Sequence, residues 1–178
     1  HELNKTILNF TQHYKNYQVK RGFGGLKKPH SSWYGFLKHL VNDAKKVLKN
    51  HFSTSDFIVL QHALKDIKSH TFEKKLLHGD LRLNNLVFSN GKLTGIIDPY
   101  PIMGDYIFDY LLYLFSSVQI METVSLNSLH TELNEPQEKM KALMLITLFV
   151  KIKRMVKYSN QQTEVSAFIQ LWHEIKNY

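Results

Sequence analysis

The sequence has 178 residues, of which 43% are hydrophobic and 12% aromatic, as is typical of one globular domain with a packed core. It contains no cysteine, which excludes disulfide bonds and thiolate metal sites and favours a reducing, cytoplasmic setting. The net charge of +8 is spread over scattered lysines, which argues against nucleic-acid binding, and the apolar runs are too short for a membrane span.

Apolar residues at three-four spacing predict three helices in the first part of the chain, over Asn4 to Tyr17, Trp33 to Leu48 and Ser55 to Ser69. A serine precedes the second helix and can cap it. A basic, glycine-rich loop is predicted between the first two helices, from Arg21 to Pro29. The apolar positions of the first helix are Ile7, Leu8, Phe10 and Tyr14.

A β-hairpin is predicted in the middle of the chain. The dipeptide Asn90–Gly91 lies between two short apolar runs, residues 86–88 and residues 93–97. Asn-Gly is the strongest local signal for a two-residue hairpin loop, because both of its residues accept positive φ angles.

The register of this hairpin predicts a metal site. With a two-residue loop, Phe88 lies opposite Leu93 and Asn85 lies opposite Ile96. Asp98, two residues beyond Ile96, is then a diagonal neighbour of Asn85, with the two backbones ~7–8 Å apart. Two oxygen-bearing side chains at that separation can share a hard cation with phosphate oxygens and water.

The remaining chain is predicted to be helical, over Tyr106–Ile120, a short helix or loop at 125–132, and amphipathic helices at 135–158 and 163–177. The predicted fold is therefore α+β, mainly α, with one small β-hairpin. We expect a single domain over residues 1–178, which is divided into three parts. These are a helical subdomain at 1–75, a loop and hairpin at 76–98, and a helical closing part at 99–178.

A carboxylate precedes the predicted metal site by a short loop. Asp80 ends a His-Gly-Asp turn and stands five residues before Asn85. Phosphoryl transfer needs a carboxylate that accepts or orients a hydroxyl proton, beside a metal that neutralises phosphate charge. Asp80, Asn85 and Asp98 supply residues of these types in that order.

Three motifs carry a resemblance to a known family. The sequence HGDLRLNN at residues 78–85 resembles the H-G-D-x-x-x-x-N catalytic loop of the aminoglycoside phosphotransferase, choline kinase and fructosamine kinase superfamily. The sequence GIID at residues 95–98 is similar to its second metal motif, and GDYIFDYL at residues 104–111 is similar to its G-D-x-x-x-D-L segment.

The resemblance implies a protein kinase-like C-terminal lobe and the transfer of a γ-phosphoryl group from ATP or GTP to a hydroxyl of a small molecule. It implies Asp80 as the catalytic base. It implies that Asn85 and Asp98 are ligands of Mg²⁺ and that they bind the nucleotide through this metal ion. His78 and Asp109 are implied to be structural supports of the loop.

Two departures from the family pattern leave the acceptor open. Arg82-Leu83 replaces a His-Pro pair or similar, and Pro99 to Pro101 replaces a segment in which Trp-Glu or similar is common. Arg82 either contacts phosphate or faces solvent.

The nucleotide-gripping N-lobe of such kinases is expected to be absent from this chain. Residues 21–26 lack the G-x-G-x-x-G spacing, and no V-A-I-K-like strand follows them. The first residue is His1, so we expect a processed chain or a fragment that is weakly active or inactive alone. The alternative is a non-catalytic binding module derived from a kinase lobe.

Overall fold

The structure is a computed structural model that describes residues 2–15, 22–125, 128–158 and 162–177. Its contacts divide the chain into two compact units that interleave along the sequence. The first comprises His1–Trp33 and Phe72–Thr123, and the second comprises Tyr34–Thr71 and Val124–Tyr178. None of the helices in the described ranges is both long and apolar enough to span a bilayer. The single domain over residues 1–178 and its three parts stay a prediction.

The described residues are mainly helical with two small sheets, in agreement with the predicted α+β, mainly α class. In chain order the elements are α1 (Glu2–Gln12), β1 (Gly24–Gly25), α2 (Trp33–Leu48), α3 (Thr54–Ser69), β2 (Lys75–Leu77), a 3₁₀ turn (Leu83–Asn85), β3 (Leu86–Ser89), β4 (Lys92–Ile96), β5 (Ile102–Gly104), α4 (Tyr106–Leu114), α5 (Val118–Glu122), α6 (Leu129–Glu132), α7 (Gln137–Tyr158) and α8 (Gln162–Asn177).

A three-stranded antiparallel sheet of the first unit, in the order β1-β5-β2, leads the chain into the His-Gly-Asp turn. The central strand is buried, with Ile102 and Met103 each 2% exposed. Ile102 is paired with Leu77, the last residue of β2. The sequence did not predict these strands, because two or three residues are too few to show an alternating pattern.

The second sheet of the first unit is the hairpin β3–β4, with Asn90 and Gly91 as its two-residue loop. Both loop residues have positive φ, 51° and 72°, as this type of turn requires. The pairing of Phe88 with Leu93 agrees with the predicted register. A β-bulge then shifts the pairing, so that Val87 lies opposite Gly95.

The bulge makes the observed register differ from the one on which the predicted metal site was based. Leu86, and not Asn85, pairs with Ile96, so the predicted pairing of Asn85 with Ile96 was wrong. The extra residue is Thr94, whose hydroxyl donates to the Val87 carbonyl at 3.2 Å. The structure keeps Asn85 close to the end of β4 in another way, because its carbonyl accepts a hydrogen bond from the Ile97 amide at 2.9 Å.

Helices α1 and α4 form the helical core of the first unit. The buried face of α1 follows the helical spacing i, i+3, i+4 and i+7 and consists of Asn4, Ile7, Leu8 and Thr11. The hydroxyl of Tyr113 in α4 donates to Oδ1 of Asn4 at 2.8 Å, and Nδ2 of Asn4 donates to the Thr123 hydroxyl at 2.9 Å. Phe10 lies off this face and is 40% exposed.

Two predicted helix limits also differ from the structure. The first helix ends at Gln12 rather than Tyr17, and Tyr17 itself lies outside the described residues. The single helix predicted over Tyr106–Ile120 is two helices. The first, α4, ends at Leu114, and the side chain of Ser117 caps the second by accepting a hydrogen bond from the Ile120 amide at 3.2 Å.

The second unit is helical, and its core is built by α3, α7 and α8. The Trp172 indole donates to the Leu145 carbonyl at 3.1 Å and is fully buried. A capping box formed by Ser53 and Asp56 begins α3, and Lys176 of α8 donates to Asp56 at 2.7 Å. These contacts tie the start of α3 to the end of α8.

Candidate active site

The turn after β2 is shaped by Gly79. Its φ is +78°, and a Cβ at this position would lie 1.9 Å from the Tyr100 carbonyl oxygen. The Tyr100 amide donates to the His78 carbonyl at 2.8 Å, which holds the two segments together at this point. Glycine is therefore required here both by the backbone conformation and by the close approach of Tyr100.

The carboxylate of Asp109 holds the same turn from α4. Its two oxygens accept the Gly79 amide at 3.0 Å and 3.2 Å, and the side chain is fully buried. Asp105 caps the start of α4 by accepting the Ile107 amide at 2.9 Å, which orients the helix that carries Asp109. The two aspartates of the G-D-x-x-x-D segment are thus a helix cap and a brace for the turn.

Burial raises the pKa of Asp109 to about 7, and the nearby charge of Asp80 contributes to the rise. The Tyr14 hydroxyl and the backbone of Gly79 and His78 oppose it. An aspartate with this pKa changes its charge close to neutral pH, whereas an exposed aspartate is ionised throughout that range.

Asp80 follows directly, and its carboxylate lies at the edge of the surface with 21% of the side chain exposed. Its Oδ2 is 3.2 Å from Nε of Arg82 and 3.4 Å from Nδ2 of Asn85. A partly exposed carboxylate held by a cation and an amide has a defined direction and remains accessible to a substrate hydroxyl.

Asn85 joins the turn to the hairpin. Its side chain is buried, and Nδ2 donates to the Asp80 carbonyl at 2.8 Å. Its backbone carbonyl accepts the Ile97 amide, and Ile97 immediately precedes Asp98. Because the amide nitrogen is used by Asp80, the oxygen of the same side chain is the atom that could bind a cation.

The His78 ring forms a second link between the turn and the segment before Asp98. Its Nε2 lies 2.9 Å from the Ile97 carbonyl, and its Nδ1 accepts the Asp80 amide at 3.3 Å. The neutral tautomer with the proton on Nε2 satisfies both contacts. Both ring nitrogens are therefore engaged with the backbone.

Asp98 is exposed and has φ +56°, a left-handed conformation that is uncommon outside glycine. The predicted strand alternation ends before this residue, because β4 stops at Ile96. Its link to the group around Asp80 runs through the backbone of Ile97. Strained conformations of this kind are concentrated at functional sites.

The structure thus joins His78, Asp80 and Asn85 by direct hydrogen bonds. It connects Asp109 to them through the Gly79 amide, and Asp98 through its neighbour Ile97. Within the described ranges, no three His, Cys, Asp or Glu side chains are grouped to hold a metal ion. The pair of Asn85 and Asp98 has one carboxylate and one amide, so it is not a group of this type.

Sequence reasoning missed Tyr14 as a residue of this region. Its hydroxyl is buried beside Asp109 and the backbone of His78. The sequence indicates only an apolar position of a helix at Tyr14. The approach to Asp109 is a long-range contact that no local pattern encodes.

Comparison with known proteins gives a family and a fold. Residues 19–127 match the model of a family described as the phosphotransferase enzyme family, over a range that contains the three motifs. No curated protein matches the chain.

Among the solved structures, a thermostable mutant of aminoglycoside phosphotransferase APH(4)-Ia in a ternary complex with AMP-PNP and hygromycin B has a TM-score of 0.68 at 14% identity, with 98% of this chain and 63% of that chain covered. A putative fructosamine-3-kinase from Haemophilus somnus 129PT has a TM-score of 0.64 at 16% identity, with 97% and 63% covered. At these identities the likeness shows a shared fold. The chain spans 63% of the length of each of these two chains, and 57% of the chain in an apo form of a thermostable APH(4)-Ia mutant.

Proposed function

The chain belongs to the phosphotransferase enzyme family, and on that premise we propose that it is the catalytic lobe of a small-molecule kinase. The reaction is the transfer of the γ-phosphoryl group of ATP or GTP to a hydroxyl. The observation that supports this most directly is the bond network that ties Asp80 to Asn85 and Asn85 to the residue before Asp98. It supports the proposal because it brings the proposed base next to one proposed oxygen ligand and next to the neighbour of the other.

Asp80 is the proposed catalytic base. Its carboxylate accepts the proton of the acceptor hydroxyl as the acceptor oxygen bonds to the γ-phosphorus. The bond from that phosphorus to the bridging oxygen breaks, and the nucleoside diphosphate leaves with the electron pair. Asn85 and Arg82 hold the carboxylate in one direction, so the acceptor is oriented as well as deprotonated.

Asn85 and Asp98 are the proposed ligands of Mg²⁺. The fit rests on the chemistry of the donors, because a carboxylate and an amide oxygen are hard ligands and phosphate oxygens complete the coordination of Mg²⁺ in such sites. When bound, the ion would offset the negative charge of the phosphates. His78 and Asp109 are proposed as supports, since they contact the backbone of the turn and of Ile97.

The nucleotide is assigned to this site by analogy and by the surface of the hairpin. Three apolar side chains within three residues of Asn85 or Asp98 in the sequence are exposed, namely Val87, Phe88 and Ile97, at 40%, 45% and 47%. Exposed apolar surface beside a phosphate site suits the flat base of a nucleotide. The similar structures were solved with AMP-PNP, ADP and GDP, so both ATP and GTP are candidates.

The acceptor is proposed to be a small molecule with a free hydroxyl. One similar structure contains hygromycin B, and another is a putative fructosamine kinase, so the fold serves more than one acceptor. Since the chain spans 63% of each of those structures, we propose that an N-lobe completes the site in the full-length protein and that the lobe alone is weakly active or inactive.

The test is calorimetric titration of Mg²⁺ with a nucleotide into the chain, beside Asp98→Asn and Asp80→Ala variants. We expect Mg²⁺-dependent binding that is lost in Asp98→Asn, since one metal ligand loses its charge, and kept in Asp80→Ala. Equal binding in all three proteins would contradict the separation of metal and base. An absence of binding in all three would call for the same titration on the full-length protein. If binding were absent there too, the alternative of a non-catalytic module would replace the kinase proposal.

A further inference from the structure

The segment that follows α1 runs along the start of β2. The side chain of Lys75, which is 7% exposed, donates to the Gln12 carbonyl at 2.7 Å. The Leu76 amide donates to the Lys15 carbonyl at 3.4 Å. Residues 12–15 are thus held against the strand that leads into the His-Gly-Asp turn.

Tyr14 lies within this segment, and its hydroxyl faces the Asp109 carboxylate and the backbone of His78. The hydroxyl is buried, and among the residues that the structure describes it meets no partner at full hydrogen-bond geometry. A buried hydroxyl that lacks a partner is costly, so a small rotation toward the carboxylate it faces is favoured. Burial and the neighbouring Asp109 carboxylate raise the pKa of Tyr14 far above its usual range, so it remains a donor at all ordinary pH values.

Asp109 lies between Tyr14 and the turn. Its oxygens accept the Gly79 amide, and Gly79 directly precedes Asp80. Tyr14 itself stands outside the residues 19–127 that match the family. No motif of the sequence connects it with the turn.

We propose that Tyr14 is a positioning residue, whose hydroxyl holds the Asp109 carboxylate in the orientation that binds the Gly79 amide and so sets the direction of Asp80. The link to catalysis rests on the proposed function of Asp80. The physical reason is that a donor beside a buried carboxylate favours its ionised form, and an ionised carboxylate is the stronger acceptor for an amide.

The titratable side chains that act on Asp109 in the part of the chain that the structure describes are Tyr14 from the segment after α1 and Asp80 from the turn, whereas His78 meets it through its backbone. Burial and the charge of Asp80 favour protonation of Asp109, whereas Tyr14 opposes it. Removal of the Tyr14 hydroxyl should therefore raise the pKa of Asp109 further and loosen its bond to Gly79.

The test compares Tyr14→Phe with Tyr113→Phe in the full chain labelled with ¹⁵N. Tyr113 is a matched control, because its buried hydroxyl also connects α4 with the α1 region but donates to Asn4. Hydrogen exchange of the Gly79 amide should be about threefold to tenfold faster in Tyr14→Phe, as expected for one lost hydrogen bond. Tyr113→Phe should leave that amide at the rate of the unsubstituted chain.

A second measurement follows the Asp109 carboxyl carbon by ¹³C NMR as pH is varied. Its pKa should rise in Tyr14→Phe and remain the same in Tyr113→Phe. A third protein carries 3-fluorotyrosine at position 14, which retains the size of tyrosine and makes the hydroxyl a stronger donor. Here the pKa of Asp109 should fall, and this substitution keeps the test valid if Tyr14→Phe does not fold.

Equal exchange at Gly79 in both phenylalanine variants, or an Asp109 pKa that is unchanged by both substitutions at position 14, would overturn the proposal and leave Tyr14 a packing residue. Neither readout requires turnover. A failed kinase assay would therefore leave these results intact, and negative results here would leave the proposed kinase function standing.

Discussion

The Tyr100 carbonyl oxygen lies where a side chain on Gly79 would have to be, with 1.9 Å between it and the position of a Cβ. The same stretch of chain closes on the turn through the hydrogen bond from the Tyr100 amide to the His78 carbonyl. The turn that carries Asp80 is thus fixed by the segment that follows Asp98. A change at Gly79 must disturb both.

We predict that Gly79→Ala destabilises the protein by at least about 2 kcal/mol, because a left-handed backbone and a clash with main-chain atoms act together. Gly91→Ala is the control. Its φ of +72° is similar, but no atom lies within 4 Å of the added Cβ, so only the conformational cost of about 1 kcal/mol applies. Urea denaturation measures both. Equal losses in the two variants would show that the approach of Tyr100 is unimportant.

Asp109 is predicted to make the stability of the protein depend on pH. Its pKa is about 7 in the folded protein against 3.8 as the ordinary value, so between these pH values the folded state binds more protons than the unfolded state. The free energy of unfolding therefore falls as pH rises from about 4 to about 7, by at most about 1.4 kcal/mol per pH unit, and levels off above. The stabilising contribution is complete only below the unfolded pKa.

The comparison with Asp109→Asn isolates this effect, since the other titrating groups are common to both proteins. The free energy of unfolding of the unsubstituted chain minus that of Asp109→Asn should decrease from pH 5 to pH 7 and then become constant. Denaturant titrations at half-unit intervals provide the measurement. A difference that is the same at every pH would mean that Asp109 titrates in its ordinary range.

The hairpin loop could be predicted from sequence because Asn90 and Gly91 determine their own backbone conformation. The bulge could not be predicted with the same certainty, although Gly95 inside the strand is a recognised sign of one. Thr94 is compatible with a regular strand as well as with a bulge. The register at Asn85 therefore depended on a residue whose role only the folded chain reveals.

In the candidate site, too, some contacts could be predicted from the sequence and others could not. Asp80 and Asn85 share one short loop, so their proximity follows from spacing alone. The contact of Asp109 with Gly79 could be expected only from a family resemblance, since the two residues come from different elements. The position of Tyr14 beside Asp109 had no signal in the sequence, because it depends on how the chain after α1 packs against α4.

Arg82 is predicted to contribute to nucleotide binding and little to stability. Its Nε is 3.2 Å from Asp80 and its side chain is 49% exposed, so the ion pair is worth less than about 1 kcal/mol. Beside bound phosphates, loss of the guanidinium in Arg82→Gln should weaken Mg²⁺-nucleotide affinity roughly tenfold, as for a charge-assisted hydrogen bond.

The control for Arg82 is Lys92→Gln, which removes an exposed cation at the loop end of the hairpin β3–β4. Calorimetry should give Lys92→Gln the affinity of the unsubstituted chain. Equal affinities for both variants would mean that Arg82 faces solvent and does not contact the phosphates.

Gly104, the first residue of the G-D-x-x-x-D segment, is predicted to be required for packing rather than for chemistry. An added Cβ would lie 2.4 Å from the Trp33 ring and 3.0 Å from Leu77. Trp33 is 2% exposed and packs edge-on against Phe108, with ring centroids 5.5 Å apart, so it has little room to move. Gly104→Ala should therefore cost about 1–3 kcal/mol.

The matched variant is Gly25→Ala in β1 of the same sheet, where no atom lies within 4 Å of the added Cβ. We expect this change to be neutral or to stabilise the protein by up to about 1 kcal/mol, because alanine restricts the unfolded chain. Thermal unfolding of both variants decides the matter. If Gly104→Ala were as stable as Gly25→Ala, the Trp33 ring would have to move aside easily. The glycine of this motif would then be required by the chemistry of the candidate site rather than by packing.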